Sequence, residues 1–272
     1  MSAFTTTTKS NFLSIWNALS TPEEARDRSL AQRRQATPLL SGANEQNSMT
    51  LVYGELGPEA TIDLFQRLTT VRTTRKTNSG TSTFLDVGSG SGKVLIAAAL
   101  LAVPAFRHHV GIELLESLHD AALTNVGMYE EATKHASSPL VPPAPGATTT
   151  STTSTSTSTT TTMGTIECIH GDALSSNTLA ENQWKDIDVV FCNSTMFNEQ
   201  MMQKLSTLPF TPGTVCCTST HALNDTFWEL MDEWKETRGG NWGHATTLYI
   251  FVKRTKRESM IRRMAKKMSS VR

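Results

Sequence analysis

The stretch from residue 84 to residue 101 constrains this chain more than any other. Phe84-Leu85-Asp86-Val87 is short, apolar and β-prone. It runs directly into Gly88-Ser89-Gly90-Ser91-Gly92-Lys93, and then into an apolar run of helical length, Val94 to Leu101. A strand that feeds a helix through a glycine-dense turn is the opening half of a βα unit. Such a strand needs parallel neighbours, and parallel strands are buried on both faces.

The rest of the chain supplies those neighbours. Strands are predicted at Val110–Glu113, Thr165–Ile169, Ile187–Cys192, Gly213–Thr218 and Thr246–Lys253. A helix is predicted from Leu115 to about Met128, and another around Phe227, Leu230, Met231 and Trp234, whose spacing is helical. Strands alternating with helices imply an α/β fold with a mostly parallel sheet covered on both faces. Ahead of it lie helical signals: Phe12, Ile15, Trp16 and Leu19 at helical spacing, a fresh start at Thr21-Pro22-Glu23-Glu24, a loop over 37 to 50, and a helix opening at Gly57-Pro58. Residues 135 to 164 break the order with Pro142-Pro143-Ala144-Pro145 and a run of Thr and Ser. That composition buries too little apolar surface to offset chain ordering, and reads as a disordered insertion.

Composition narrows the setting. The 272 residues suffice for one sizeable core, and 25 Lys+Arg balance 25 Asp+Glu. The balance is uneven, because Lys253 to Arg272 carries nine basic residues and one acid, which suits a polyanionic partner. Cys168, Cys192, Cys216 and Cys217 show no metal-ligand spacing, and three lie in apolar strand-like runs, which fits a reducing compartment. The start shows no signal-peptide pattern, and the longest apolar run, Val94 to Ala105, is too short for a bilayer; the expectation is a soluble intracellular protein without a membrane partner.

Three acids follow three successive predicted strands. Asp86 stands at the mouth of the glycine loop, Glu113 ends the second strand, and Asp172 sits in Gly171-Asp172-Ala173 after the third. A phosphate-binding P-loop needs Ser or Thr after its Lys, yet Val94 follows Lys93. The glycines Gly88, Gly90 and Gly92 form G-x-G-x-G rather than a dinucleotide fingerprint. An acid at the loop mouth repels a pyrophosphate but suits the sulfonium and ammonium of S-adenosylmethionine. Glu113 can accept hydrogen bonds from ribose hydroxyls, and Asp172 from an adenine amino group. A helix-opening turn without ligand and a solvated charge at a strand end are the plain alternatives.

At this point the motifs become specific. Asp86–Gly92 with Glu113 and Asp172 is similar to the class I methyltransferase core. Val52-Tyr53-Gly54-Glu55, Phe84–Gly92, Val190-Phe191-Cys192-Asn193-Ser194-Thr195-Met196-Phe197, and Asn241-Trp242 with Tyr249 resemble, in order and spacing, the disruptor-of-telomeric-silencing enzymes. That family methylates a lysine on the globular face of histone H3 without a SET domain, and the chain looks like the compact form known from kinetoplastid protists. The resemblance implies a Rossmann-like, mostly parallel seven-stranded sheet. It implies an N-terminal helical region at 1–50, a methyltransferase domain at 51–254 interrupted by 135–164, and a basic tail at 255–272. S-adenosyl-L-methionine would be the cofactor, held by Tyr53, Glu55, Asp86, Gly88, Ser89, Gly90, Gly92, Glu113, Asp172, Ala173 and Asn193. Asn193, Phe197, Trp242 and Tyr249 would form the mouth and wall of a lysine channel. Partners would be histone H3 in nucleosomes and, through the tail, DNA phosphates; the location would be the nucleus.

One departure stands out: Ala173 occupies the place where the family commonly stacks an aromatic on the base. The implied mechanism needs a neutral amine, and a water-poor aromatic channel lowers the pKa of a lysine from its ordinary 10.4 or so. No general base is assigned. Rival readings are a class I methyltransferase acting on RNA, DNA, a small molecule or another protein, and a non-catalytic chromatin module. Asn193-Ser194-Thr195-Met196 lacks the prolines usual in enzymes that methylate base or amide nitrogens, and the retained acids disfavour the second rival.

Overall fold

The computed structural model describes residues 4–19, 27–28, 31, 55–74, 82–102, 105–136, 164–236 and 246–269. Tyr53, Asn241, Trp242, the helix start at Thr21-Pro22, the loop over 37 to 50, and all but the two edges of the Thr/Ser-rich insertion lie outside these residues.

Seven strands form one sheet: β1 (Thr83–Val87), β2 (His108–Glu113), β3 (Thr165–His170), β4 (Ile187–Cys192), β5 (Val215–Ser219), β6 (Trp228–Glu236) and β7 (Thr246–Lys253), in the spatial order β3-β2-β1-β4-β5-β7-β6. The first five run parallel. β7 is antiparallel to both its neighbours, wedged between β5 and β6. The order reverses at β1, so the crevice beyond the carboxyl ends of β1 and β4 is where a doubly wound sheet takes its ligand.

Both faces are covered, which explains why the central strands are apolar throughout rather than alternating. Phe84, Phe191, Cys217 and Ile250 point into one core, shared with Leu64 and Phe65 of α2 (Pro58–Thr74), Leu95 and Ala98 of α3 (Lys93–Leu101), and Phe12 and Trp16 of α1 (Thr6–Ala18). Their chain neighbours Leu85, Val190, Cys216 and Phe251 point into the other core, with Leu179, Trp184, Phe210 and Trp228. That second layer includes the short α5 (Glu181–Lys185) and α6 (Glu199–Thr207). The N-terminal helix is therefore part of the main core; truncating Trp16 to Ala would remove roughly 3–5 kcal/mol.

The structure corrects two expectations and adds a helix that the sequence reading had not placed. The helix after β2, α4, runs from Glu116 to Ala136, well past Met128. Helix α6 carried a readable start, since Asn198 accepts the Met201 N–H at 2.9 Å with Glu199 in the first turn. Most importantly, the predicted helix around Phe227–Trp234 is strand β6. A register shift between Leu230 and Asp232 breaks its two-residue alternation and mimics helical spacing. Leu230 and Met231 are 48% and 41% exposed, so the apparent apolar face is not a buried one. Ladder bonds to β7 and anchoring of the strand decide the outcome: Trp228 Nε1 donates to the Ser206 carbonyl at 3.0 Å, and Arg67 of α2 both pairs with Asp232 and lies 4.5 Å above Trp234.

The chain's basic end forms α7 (Lys256–Ser269), opened by a reciprocal cap in which Thr255 Oγ1 accepts from the Glu258 N–H and Glu258 Oε2 accepts from the Thr255 N–H. Among the described residues no helix is long and apolar enough to cross a membrane.

Candidate active site

The glycine loop hangs from the end of β2. The Gly88 and Ser89 N–H groups both donate to the Ile112 carbonyl, at 2.9 and 3.1 Å, and the Gly92 N–H closes back on the Ser89 carbonyl at 2.9 Å. Gly88, Gly90 and Gly92 have φ of 73°, 54° and 77°, the left-handed region where side chains are strained. A Cβ on Gly88 would meet nothing within 4 Å, so its outer side is open space. Beneath the loop the packing is tight: a Cβ on Gly111 would lie 2.9 Å from both Leu95 and Ser89. Asn125, buried on α4, braces the loop by donating to the Ser91 carbonyl at 2.9 Å. The sequence reading missed Asn125; its signal was a lone amide on the apolar face that also holds Leu118, Ala122 and Val126.

Two carboxylates meet under this loop. Glu113 is buried and oriented by the backbone: Oε2 accepts the Gly90 N–H at 2.9 Å and Oε1 the Leu115 N–H at 2.9 Å. Each oxygen keeps acceptor capacity. Asp86 is also buried; burial first, and the neighbouring Glu113 second, hold its carboxyl up at about 8. Ser89 Oγ is buried among the described residues without a hydrogen-bond partner. A buried acid pair beneath open glycines, with an orphaned hydroxyl beside it, fits a small cationic ligand with several hydroxyls.

The cleft above is narrow and opens to solvent. It is lined by Glu55, Leu56, Asp86, Gly88, Ser89, Gly90, Lys93, Val94, Phe191 and Asn193. Glu55 spans its side: one oxygen accepts from Ser91 Oγ, the other pairs with Lys93 Nζ at 2.8 Å. Ser91, Lys93 and Phe191 were not singled out from the sequence. A wider cleft of about 360 Å³, lined by Tyr129, Glu130, Thr133, Lys134 and 164–166, lies at the amino edge of β3, at the borders of the insertion. It is remote from the strand-order reversal and the rim acids, so the smaller cleft is the candidate site.

The remaining expected residues fall in three groups. Asp172 is exposed after β3, its Oδ1 accepting the Leu174 N–H at 2.8 Å, while Ala173 is buried in the second core. Asn193 follows β4 into the cleft, its Oδ1 accepting from Ser219 Oγ at 2.6 Å and Thr195 Oγ1 at 2.9 Å. Beside this cluster Thr220 has φ 65°, an unusual conformation for a β-branched residue. Phe197 and Tyr249 do not line the cleft; both are half-buried against the second core, with Tyr249 paired to Thr218 in register and stacked on Phe251 at 6.0 Å. Tyr53 and Trp242 lie outside the described residues.

This strand order, with a left-handed glycine loop after β1 and an acid closing β2, defines a class I methyltransferase fold, and the cleft's donor set fits S-adenosyl-L-methionine as its cofactor. Residues 42–138, 97 of the 272, match the family described as histone methylation protein DOT1. The match takes in Glu55, the glycine loop and Glu113, and ends before Asp172, Asn193 and Tyr249. No curated protein sequence matches the chain. Similar solved structures include a Pyrococcus horikoshii protein described as an RNA methyltransferase (11% identity, 82% of this chain and 98% of that one, TM-score 0.47). Others are a class I S-adenosylmethionine-dependent methyltransferase from Listeria monocytogenes (12%, 91% and 80%, 0.47) and a methyltransferase from Thiobacillus denitrificans bound to S-adenosyl-L-homocysteine (10%, 71% and 91%, 0.40).

Proposed function

We propose that this chain is a histone-lysine N-methyltransferase that acts in the nucleus on the globular core of histone H3 within nucleosomes. The observation that carries the reading is the buried Asp86–Glu113 pair beneath the left-handed glycine loop, with Asn193 held across the same cleft. The DOT1 match over 42–138 supports the choice of acceptor.

S-adenosyl-L-methionine would supply a methyl group activated on a sulfonium sulfur. Asp86 and the Gly88–Gly90 backbone would hold its amino-acid end, and Glu113 its ribose. Asp172 would face the adenine amino group. Ala173 offers no aromatic surface, but Leu114, next to Glu113 and 49% exposed, presents an apolar one on which the base can lie. Asn193 is fixed by two hydroxyls, so its amide is oriented before an acceptor arrives. Phe197 and Tyr249, packed against the second core, would support the acceptor side of the site rather than line it. The basic end would add phosphate contacts whose strength falls with salt.

The test is to incubate the protein with methyl-labelled cofactor and, separately, nucleosomes, free histones and total RNA, and to map the label by mass spectrometry. Label on a core-domain lysine of histone H3 in nucleosomes is the expected result. Label on RNA, or on histone tails alone, overturns the assignment.

A further inference from the structure

Helix α7 sits on the protein the wrong way round. A surface helix ordinarily buries its apolar stripe and shows its charges to water. Here none of its residues is buried. Arg262 and Lys266 both pair with Asp225, which pulls the Asp225 carboxyl below its ordinary range, and the Arg263 guanidinium lies 5.0 Å above the Phe227 ring. At 3.6 residues per turn these three cations share an arc of about 100°. Met260, Ile261, Met264 and Met268 share another arc of about 100° on roughly the opposite side, facing away from the body. They are 57%, 56%, 59% and 73% exposed.

The outward seam has a readable chemistry. Ile261, Met264 and Met268 recur at i, i+3 and i+7, the anchor spacing of a helix that lies in a groove. Methionine is the side chain that adapts to such grooves. Arg257 lies within the seam's arc, with Lys256 and Lys267 beside it. Six cations (Lys256, Arg257, Arg262, Arg263, Lys266, Lys267) against Glu258 give the helix a net charge of +5. A phosphate backbone would satisfy that charge yet leave four apolar side chains in water. A bilayer surface favours Trp, Phe and Leu, none of which the helix contains. An acidic protein groove satisfies both the charge and the seam.

We propose that the outward face of α7 is a docking site for an acidic protein with a methionine-lined groove of the calcium-sensor type. Ile261, Met264 and Met268 are its anchors, and Lys256 and Arg257 meet its acidic wall. The bond to Asp225 need not break, because the groove takes only the face turned away from the body. This inference does not rest on the methyltransferase reading; a docked acidic partner would compete with DNA phosphates for the cations of the same helix.

The experiment uses the full chain, with calcium-loaded calmodulin as the probe groove, in a fluorescence-anisotropy titration. Saturable binding that is abolished by chelating calcium, and weakened by about tenfold or more in the Ile261→Ser/Met264→Ser double variant, is the expected result. Both positions are more than half exposed, so the variant keeps its fold; an unchanged melting temperature and unchanged cofactor affinity verify this. Absence of binding to the probe, or equal binding by the double variant, overturns the proposal. So does seam-dependent self-association in sedimentation, or seam-dependent binding to phosphatidylserine vesicles tighter than binding to the probe.

Discussion

Around Gly88–Gly92 the site is fixed by bonds to the loop's own main-chain groups, whereas around Asn193 it is fixed by bonds between side chains. In the first region the loop is fixed by Ile112, Glu113 and Asn125. In the second, Asn193 leans on Ser219, Thr195 leans on Thr220, and Tyr249 is placed by its register with Thr218. The DOT1 match covers the first region and stops short of the second. A donor pocket has one ligand to satisfy and can be built from backbone geometry. The proposed acceptor wall rests on bonds between side chains, which tolerate change of sequence as long as packing survives.

The contrast is open to attack by mutation. The largest expected effect is Gly90→Arg, which places a long side chain at φ 54° over the acid pair; cofactor affinity should fall by more than about 100-fold. Unchanged affinity by calorimetry would remove the loop from the site. Next is Glu113→Ala, which strands the buried Gly90 and Leu115 N–H groups and should destabilise the fold by about 2–4 kcal/mol in denaturant titrations, besides losing the ribose acceptor.

Asp86 sharpens the comparison through pH. Its carboxyl is raised from an ordinary 3.8 to about 8, so the folded, ligand-free protein holds a proton that the unfolded chain has already lost. The stability from this group is therefore full below about pH 4 and is lost as pH rises through about 8. A cationic ligand favours the ionised form, so its affinity should rise about tenfold per pH unit as pH approaches 8 from below. Asp86→Asn should flatten both profiles, read as melting temperature and calorimetric affinity against pH. A wild-type affinity independent of pH between 6 and 8 contradicts the assigned role. The smallest effect belongs to the acceptor side: Tyr249→Phe keeps the stacked ring, so cofactor affinity should hold while kcat falls by about tenfold or less. A matching loss of cofactor affinity would erase the distinction between the two regions.

The same division governs what was legible in the chain. β1, α3, β2 and the rim acids could be read because local signals coincide there: apolar runs, glycines at positive φ, acids at strand ends. Glu55's grip on Lys93 could not be read, because it joins positions 38 residues apart. β6 was misread for a physical reason. An edge strand buries little, a register shift scrambled its alternation, and pairing with β7 overrode the helical spacing of Phe227, Leu230 and Trp234. Six strands were legible and the seventh was hidden in a helical disguise. Ala173 was recognised as a departure, yet Leu114 as an alternative surface for the base became visible only once its exposure at the rim was known.

The wedging of β7 has an outcome for how the protein is made. This strand begins at residue 246; β6 holds all its ladder bonds through it, and β5 those on the side away from β4. A ribosome therefore extrudes the glycine loop and its acids well before β7 emerges to close the sheet. In that interval β5 and β6 each present an unzipped edge to any passing chain. Nascent or prematurely terminated polypeptides should thus be the species that chaperones must shield.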